Sequence, residues 1–182
     1  MRALVIYESM YGNTHVVASN IADGLRASHE VTLVPVAEAT EKLVAEADLL
    51  VVGGPTHMHG MSSAASRRMA AQAAGKEASG LTLDQDASGP GLHDWLKDIG
   101  GGRTVAAAFD TRMNGVPAFT GRASRGIVRL LKRHGYHLIA APESFLIGKQ
   151  NALLDGEVSR ASRWGAALGV VASDAYIHAV EP

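Results

Sequence analysis

At 182 residues and a formal net charge of -1, the chain has the length of one domain and lacks the positive charge that nucleic-acid binding requires. It contains no cysteine, which excludes disulfides, thiolate metal sites and iron–sulfur clusters, so any redox role needs a bound organic cofactor. No apolar run reaches the roughly 20 residues of a membrane span. The N-terminal apolar run 3–7 is too short for a signal peptide, so we expect a cytoplasmic protein without membrane insertion.

Short apolar segments alternate with segments of helical periodicity, which predicts parallel βαβ units. The predicted strands are 3–7, 31–34, 49–53, 104–109 and 137–141, the last with a possible continuation through 145–147. The predicted helices are 14–27, 62–74, a short helix with Trp95 and Leu96, 120–134 and 156–172, with an exposed Gly-, Ser- and Asp-rich loop at 75–91 and a tail at 174–182. This pattern predicts one α/β domain over 1–182, a doubly wound three-layer sandwich with five parallel strands.

In such a fold, ligands bind at the carboxyl ends of the strands. The first loop at this edge connects the predicted strand 3–7 to the predicted helix 14–27. Its residues are Ser9, Met10, Tyr11, Gly12, Asn13 and Thr14. A helix start offers unpaired N–H groups, Gly12 lets the backbone approach closely, and the short polar side chains add donors. The loop has no Lys or Arg and neither a nucleoside-triphosphate nor a three-glycine signature, so it predicts binding of a terminal phosphate by neutral donors. Simple helix capping by Asn13 or Thr14 is the alternative.

Two further polar loops follow the third and fourth predicted strands. The first contains Pro55, Thr56, His57, Met58, His59 and Gly60, and the second contains Phe109, Asp110, Thr111, Arg112, Met113 and Gly115. His57 and His59 are spaced like metal ligands, but no Cys, Asp or Glu in their loop completes a site, so no metal is predicted. Three polar loops at one sheet edge predict a single binding site.

These residues resemble the flavodoxin-like family over nearly the whole chain. The family's phosphate-loop pattern is met at Ser9, Gly12, Asn13 and Thr14, with Tyr11 in place of the usual second Thr, a form similar to quinone reductases and flavo-diiron flavodoxin modules. The resemblance implies FMN as cofactor, with the residues 9–14 on its phosphate, Pro55 and Thr56 along its ribityl chain, and the segments 57–60 and 109–115 beside its ring. FMN then supplies the chemistry, and no catalytic side chain is predicted.

The resemblance implies electron transfer to a redox protein or a small-molecule donor or acceptor. The ring loops contain no Trp or Tyr, which leaves Phe109, His59, Met58 and Met113 as covers, and the chain lacks the strong acidity of shuttle flavodoxins. An NAD(P)H:quinone reductase, a protoporphyrinogen oxidase of flavodoxin-like type and a non-redox binding module are therefore alternatives. A basic helix face, with Arg122, Arg125, Arg129, Lys132 and Arg133, is interpreted as a solvated surface; docking of an acidic partner or a nicotinamide cofactor's phosphate is the alternative.

Overall fold

The computed structural model describes residues 1–76, 79–102 and 104–180, with side chains as far as residue 175. The strands are β1 (Arg2–Tyr7), β2 (Glu30–Pro35), β3 (Leu49–Pro55), β4 (Val105–Met113), β5 (His137–Leu138) and β6 (Glu143–Ile147). The helices are α1 (Asn13–Leu25), α2 (Glu41–Glu46), α3 (Ala64–Ala74), α4 (Leu92–Asp98), α5 (Pro117–Thr120), α6 (Ala123–Arg133) and α7 (Glu157–Val180), with a 3-10 turn at Val36–Glu38. None of the helices described combines the length and the apolar character needed to cross a membrane.

The sheet is parallel throughout, with the strand order β2-β1-β3-β4-β5. Strand β6 also pairs with β4, further along it, so β5 and β6 together fill the fifth position. Pro142 stands directly before β6, and its missing N–H prevents a ladder hydrogen bond there. The predicted doubly wound α/β sandwich is confirmed, and the fifth strand is divided into two pieces.

Both faces of the sheet are buried, because successive side chains of a strand point to opposite faces. Val5 and Val51 belong to the core cluster that includes α1 and α7, whereas Ile6 and Val52 belong to the cluster that includes α4 and α6. The two helices of the first layer lie in close contact: a Cβ on Gly24 of α1 would stand 2.0 Å from the carbonyl oxygen of Ser162 on α7. This three-layer packing leaves the carboxyl ends of the strands as the edge where ligands can enter.

The structure differs from the sequence prediction at several elements, among them the C-terminal tail, helix α2 and the fourth strand. The predicted tail 174–182 is wrong as far as residue 180, because α7 continues to Val180 through a stretch without Gly or Pro; residues 181 and 182 lie outside the described part. Helix α2 was not predicted, although Thr40 caps it by accepting a hydrogen bond from the N–H of Leu43 at 3.3 Å. The fourth strand extends four residues beyond its predicted end at Phe109, to Met113. Residues 110–113 are therefore strand residues and not loop residues.

Candidate functional site

The loop between β1 and α1 ends in an uncapped helix N-terminus. Gly12 is the N-cap with a φ of 88°, and no side chain accepts a capping hydrogen bond there. In α1, the N–H of Val16 donates to the carbonyl of Gly12 at 3.0 Å, which leaves the preceding N–H groups of Asn13, Thr14 and His15 without an intrahelical acceptor. A Cβ built on Gly12 would meet no protein atom within 4 Å, so the space before these donors is open. The absence of a side-chain cap argues against simple helix capping, and the geometry fits an anion.

The polar side chains of this loop bind the protein itself. The hydroxyl oxygen of Ser9 accepts from the N–H of Gly12 at 3.2 Å, and the hydroxyls of Thr14 and Thr111 lie 2.7 Å apart in a buried hydrogen bond. The side-chain amide of Asn13 donates to the carbonyl of Asn151 at 2.9 Å. These side chains therefore shape the loop, and the donors left for a ligand are mainly backbone N–H groups.

Asn151 is a site residue that the sequence analysis missed. It lies after β6, has a φ of 54°, and accepts the Asn13 amide through its backbone carbonyl. Because asparagine tolerates the left-handed region better than most residues, its presence in a loop at a strand's carboxyl end was the available signal. The loop after β6 thus holds the loop between β1 and α1 in place through this hydrogen bond.

Met10 and Tyr11 anchor the first loop to its surroundings. Met10 is buried, with 3% of its surface exposed, and its carbonyl accepts from the N–H of Asp84 at 2.9 Å. The hydroxyl of Tyr11 donates to the carbonyl of Ala70 on α3 at 2.9 Å, and burial raises the pKa of this phenol. Both residues hold the loop in place from behind.

The predicted exposed loop 75–91 is described except for residues 77 and 78. Its described part packs against the end of β1 and the loop between β1 and α1. The hydroxyl of Tyr7 donates to a carboxylate oxygen of Asp86 at 2.8 Å, and the imidazole of His15 lies 3.5 Å from the carboxylate of Asp84. At the end of the segment, the N–H of Leu92 donates to the buried carboxylate of Glu8 at 2.7 Å. The segment is therefore held against the end of β1, Glu8 and the first turn of α1.

Residues 57–60 form a tight turn directly after β3. The N–H of His57 donates to the carbonyl of Gly60 at 2.8 Å, and the N–H of Gly60 returns a bond of 3.0 Å to His57. Met58 and His59 both have positive φ, 46° and 75°, which is uncommon for residues with side chains and concentrates at functional sites. The turn places Met58 in solvent, with 77% of its surface exposed.

This turn is fixed against the segment that precedes α6. His59 pairs with Gly121, and a Cβ on Gly121, whose φ is 75°, would stand 2.2 Å from the Cα of His59. Thr56 completes the junction: its N–H donates to the carbonyl of Thr111 at 2.8 Å, and its hydroxyl oxygen accepts from the N–H of Ala123 at 3.0 Å. The two predicted ring loops are thus brought together through α6.

The environment of His57 changes the pKa of its imidazole. Burial lowers the pKa of its imidazole, the carboxylate of Glu8 opposes that shift, and the guanidinium of Arg67 adds to it. Its Nδ1 lies 3.3 Å from the hydroxyl of Ser66 at the start of α3. The ring is therefore neutral at pH 7 and can both donate and accept a hydrogen bond.

The prediction that residues 109–112 lie in a ring loop is wrong, because they belong to β4. Phe109 is fully buried, and a Cβ on Gly53 would stand 2.1 Å from its ring, so its position does not support a role as a flavin cover. Asp110 accepts from the N–H of Ser124 on α6 at 2.8 Å. Arg112 donates through Nη1 to the carbonyl of Gly115 at 3.0 Å and to the hydroxyl of Thr120 at 3.0 Å. These residues support the loop that begins at Asn114.

Exposed apolar side chains collect where the turn 57–60 meets the loop after β4. They are Met58, Met113, Val116 and Phe119, with 77%, 47%, 61% and 79% of their surface exposed. Phe119 was missed in the sequence; Pro117 begins a short helix there, so an aromatic residue two positions later in a loop was the signal. Exposed apolar side chains grouped at one edge are typical of a ligand or partner surface.

Part of the chain also matches proteins of known family. Residues 5–79, which contain the loop 9–14 and the turn 57–60, match the family described as Flavodoxin. A flavodoxin from Aquifex aeolicus (strain VF5) is 46% identical over 59 residues, which make up 31% of this chain and 32% of the relative. The matched segment thus spans about a third of that relative.

Solved structures extend the likeness to the whole chain. A flavodoxin from the domain Archaea has a TM-score of 0.65 at 17% identity, with 95% of this chain and 99% of that chain covered. The flavodiiron core from Synechocystis sp. PCC6803 has a TM-score of 0.64 at 15% identity, with 96% of this chain and 36% of that chain covered. At such identities the likeness shows a common fold.

Proposed function

Because this chain is flavodoxin-like in both sequence and fold, we propose that it binds FMN at the carboxyl edge of the sheet and transfers electrons through it. The observation that carries the proposal is the open N-terminus of α1, where three successive N–H groups from Asn13 to His15 have no intrahelical acceptor. No Lys or Arg occurs within 9–14, so the donors and the helix dipole would balance the charge of one terminal phosphate.

The flavin ring would lie against the exposed apolar side chains near the turn 57–60. Phe119 offers an aromatic face at 79% exposure, and Met58 and Val116 offer aliphatic contact on the same edge. Pro55 and Thr56 connect this edge to β3 and remain the predicted neighbours of the ribityl chain. FMN, when bound, would supply one- or two-electron chemistry, and the protein would orient it and exclude water.

His57 would act as a neutral hydrogen-bonding group beside the ring. Burial keeps its imidazole uncharged near neutral pH, and the Ser66 hydroxyl holds Nδ1, which leaves Nε2 for a ligand or for a proton. A neutral imidazole near the ring avoids adding a fixed positive charge to it. The histidine would therefore adjust hydrogen bonding and proton supply at the site.

A two-electron reductase is the second candidate. The net charge of -1 gives little electrostatic steering toward a basic protein partner, which a dedicated shuttle would need. A carrier and a reductase differ in stepwise photoreduction: a carrier accumulates a one-electron-reduced form, whereas a reductase oxidises NAD(P)H only when a quinone is present. A protein with neither property would contradict both candidates.

The proposal is tested by titrating the purified apoprotein with FMN and with riboflavin, which lacks the phosphate, and following flavin fluorescence. We expect FMN to bind at least about tenfold more tightly, since a phosphate at a helix N-terminus gains charge-assisted hydrogen bonds. Gly12→Asn keeps the left-handed backbone accessible and fills the open space, so it should weaken FMN binding.

The matched control is Gly156→Asn at the N-terminus of α7, because Gly156 also has a positive φ, 83°, and no atom within 4 Å of a built Cβ. This control should leave FMN binding unchanged. Equal affinities for FMN and riboflavin, or equal effects of the two substitutions, would refute the phosphate site. A protein that binds neither flavin would refute the function.

A further inference from the structure

A cleft of about 540 Å³ opens between the turn after β3 and the first half of α6. Its polar lining consists of His59, Ser62, Ser63, Arg122, Arg125 and Arg129, together with His93. His59 and Gly60 belong both to this cleft and to the turn that would flank the flavin ring. The cleft therefore borders the turn that would flank the flavin ring.

The cleft concentrates positive charge that the described residues do not neutralise. Its lining includes no Asp or Glu, and no described carboxylate forms an ion pair within 4.0 Å of Arg122, Arg125 or Arg129. In addition, the Nε of Arg122 is buried and has no hydrogen-bond partner among the described atoms. A buried donor without a partner is energetically costly.

Arg125 and Arg129 share one face of α6 by their spacing of four residues, and Arg122 directly precedes the helix as its N-cap. Guanidinium groups bind phosphate oxygens in a bidentate manner, and several of them in a concavity focus the field on an anion. Lys132 and Arg133 occur on the same helix but do not line the cleft. The sequence-based interpretation of one solvated basic face is therefore incomplete, because part of that face also lines a cleft.

We propose that this cleft binds the phosphates of a nicotinamide dinucleotide that reduces the flavin. The inference rests on the proposed FMN function, because the ring supplies the place for the nicotinamide. The volume of about 540 Å³ lies within the range of small-molecule sites, and its concave shape favours a small molecule over a protein surface. In this reaction the reduced nicotinamide would transfer a hydride, that is, two electrons and one proton, to the flavin ring. A second proton from solvent would complete the reduction of the flavin, and the oxidised dinucleotide would leave.

The test is calorimetric titration of NADP⁺ and, separately, NAD⁺ into the FMN-loaded protein and into the apoprotein. We expect Arg125→Ala with Arg129→Ala to weaken NADP⁺ binding at least about tenfold. The control pair, Lys132→Ala with Arg133→Ala, removes the same charge from the same helix and should change affinity by less than about twofold. If the cleft holds the 2′-phosphate, NAD⁺ binds weakly to the unsubstituted protein and to every variant. If the cleft holds the pyrophosphate, the arginine pair variant loses affinity for both dinucleotides. Either result supports the cleft.

Equal effects of the two pairs would overturn the proposal, because the attraction would then come from general charge. Failure of both dinucleotides to bind the unsubstituted protein, or preferential binding of an acidic peptide, would also overturn it. FMN titration of the same variants separates the two proposals: the cleft variants should bind FMN normally. If FMN binds and the dinucleotides do not, only the cleft assignment fails. If the dinucleotides bind the apoprotein and FMN does not, the flavin assignment fails, and with it the role of the dinucleotide in reducing a flavin.

Discussion

The hydroxyl of Thr14, in the first turn of α1, forms a buried hydrogen bond of 2.7 Å with the hydroxyl of Thr111 in β4. This bond crosses from the proposed phosphate loop to the strand whose end carries the proposed ring loop. Thr111 also accepts the N–H of Thr56 through its carbonyl, so one residue of β4 contacts both neighbouring loops. The alignment of the phosphate and ring portions of the site therefore depends on a short polar contact inside the sheet edge.

Replacing Thr111 with valine keeps the side-chain shape and removes this hydroxyl. We expect the free energy of unfolding to fall by about 1–3 kcal/mol, because Thr14 is left with a buried unsatisfied hydroxyl. Adding Thr14→Val should recover part of the loss, because both polar groups are then absent. Chemical denaturation measures this, and Thr32→Val on the exposed side of β2 is the control, expected to change little. Additive losses in the double variant would contradict the contact.

Gly121→Ala should disrupt the junction of the two ring loops. Alanine disfavours the φ of 75°, and its Cβ would collide with the backbone of His59 at 2.2 Å. We expect a loss of about 1–3 kcal/mol in stability together with weaker FMN binding. Gly60→Ala in the same junction is the control, since its Cβ meets nothing within 4 Å and its φ is outside the left-handed region. Similar losses for both variants would show that the collision is not the cause.

Two phenylalanines should respond in opposite ways. Phe119→Ala removes a side chain that is 79% exposed, so stability should change little while FMN affinity falls about 2- to 10-fold, the equivalent of about 0.5–1.5 kcal/mol. Phe109→Leu removes part of a fully buried ring, so stability should fall by about 1–2 kcal/mol with little change in FMN affinity. Fluorescence titration and thermal denaturation measure both. The reverse pattern would restore Phe109 as a flavin cover.

His57 should make the protein less stable in mild acid. Above the ordinary histidine pKa of 6.5, folded and unfolded chains both carry a neutral imidazole; below it, the unfolded chain takes up a proton first, because burial lowers the folded pKa. Stability contributed by neutral His57 is therefore present above about pH 6.5 and is lost as the pH falls toward the folded pKa. Denaturation at about pH 7.5 and about pH 5 should show a smaller decrease for His57→Gln than for the unsubstituted chain. An equal or larger decrease would contradict this.

Local sequence signals were sufficient for the doubly wound parallel architecture and for the position of the first loop, because a buried parallel strand and an amphipathic helix each leave a clear pattern. They were insufficient at the end of β4. Asp110 and Arg112 look like loop residues by type, yet the sheet buries them because α6 and the loop after β4 supply partners for their charged groups. These partners lie 3 and 14 positions further along the chain, outside the strand, and periodicity carries no information about such contacts.

The residues that support the site were missed for the same reason. Gly121 and Asn151 act through contacts with His59 and Asn13, which lie 62 and 138 positions away in the chain. A pattern of residue types showed that loops meet at one edge, but not which backbone groups hold them together. Phe119 was missed for a different reason: its importance comes from exposure, which only the folded chain reveals.

The segment around Asp84 and Leu92 is attached to the phosphate loop through main-chain N–H groups, which donate to Met10 and Glu8. A ligand that stiffens the phosphate loop would strengthen these attachments without touching the segment. Amide hydrogen exchange at Asp84 and Leu92 would then slow on cofactor loading, so the filled and empty forms would differ in the mobility of this segment.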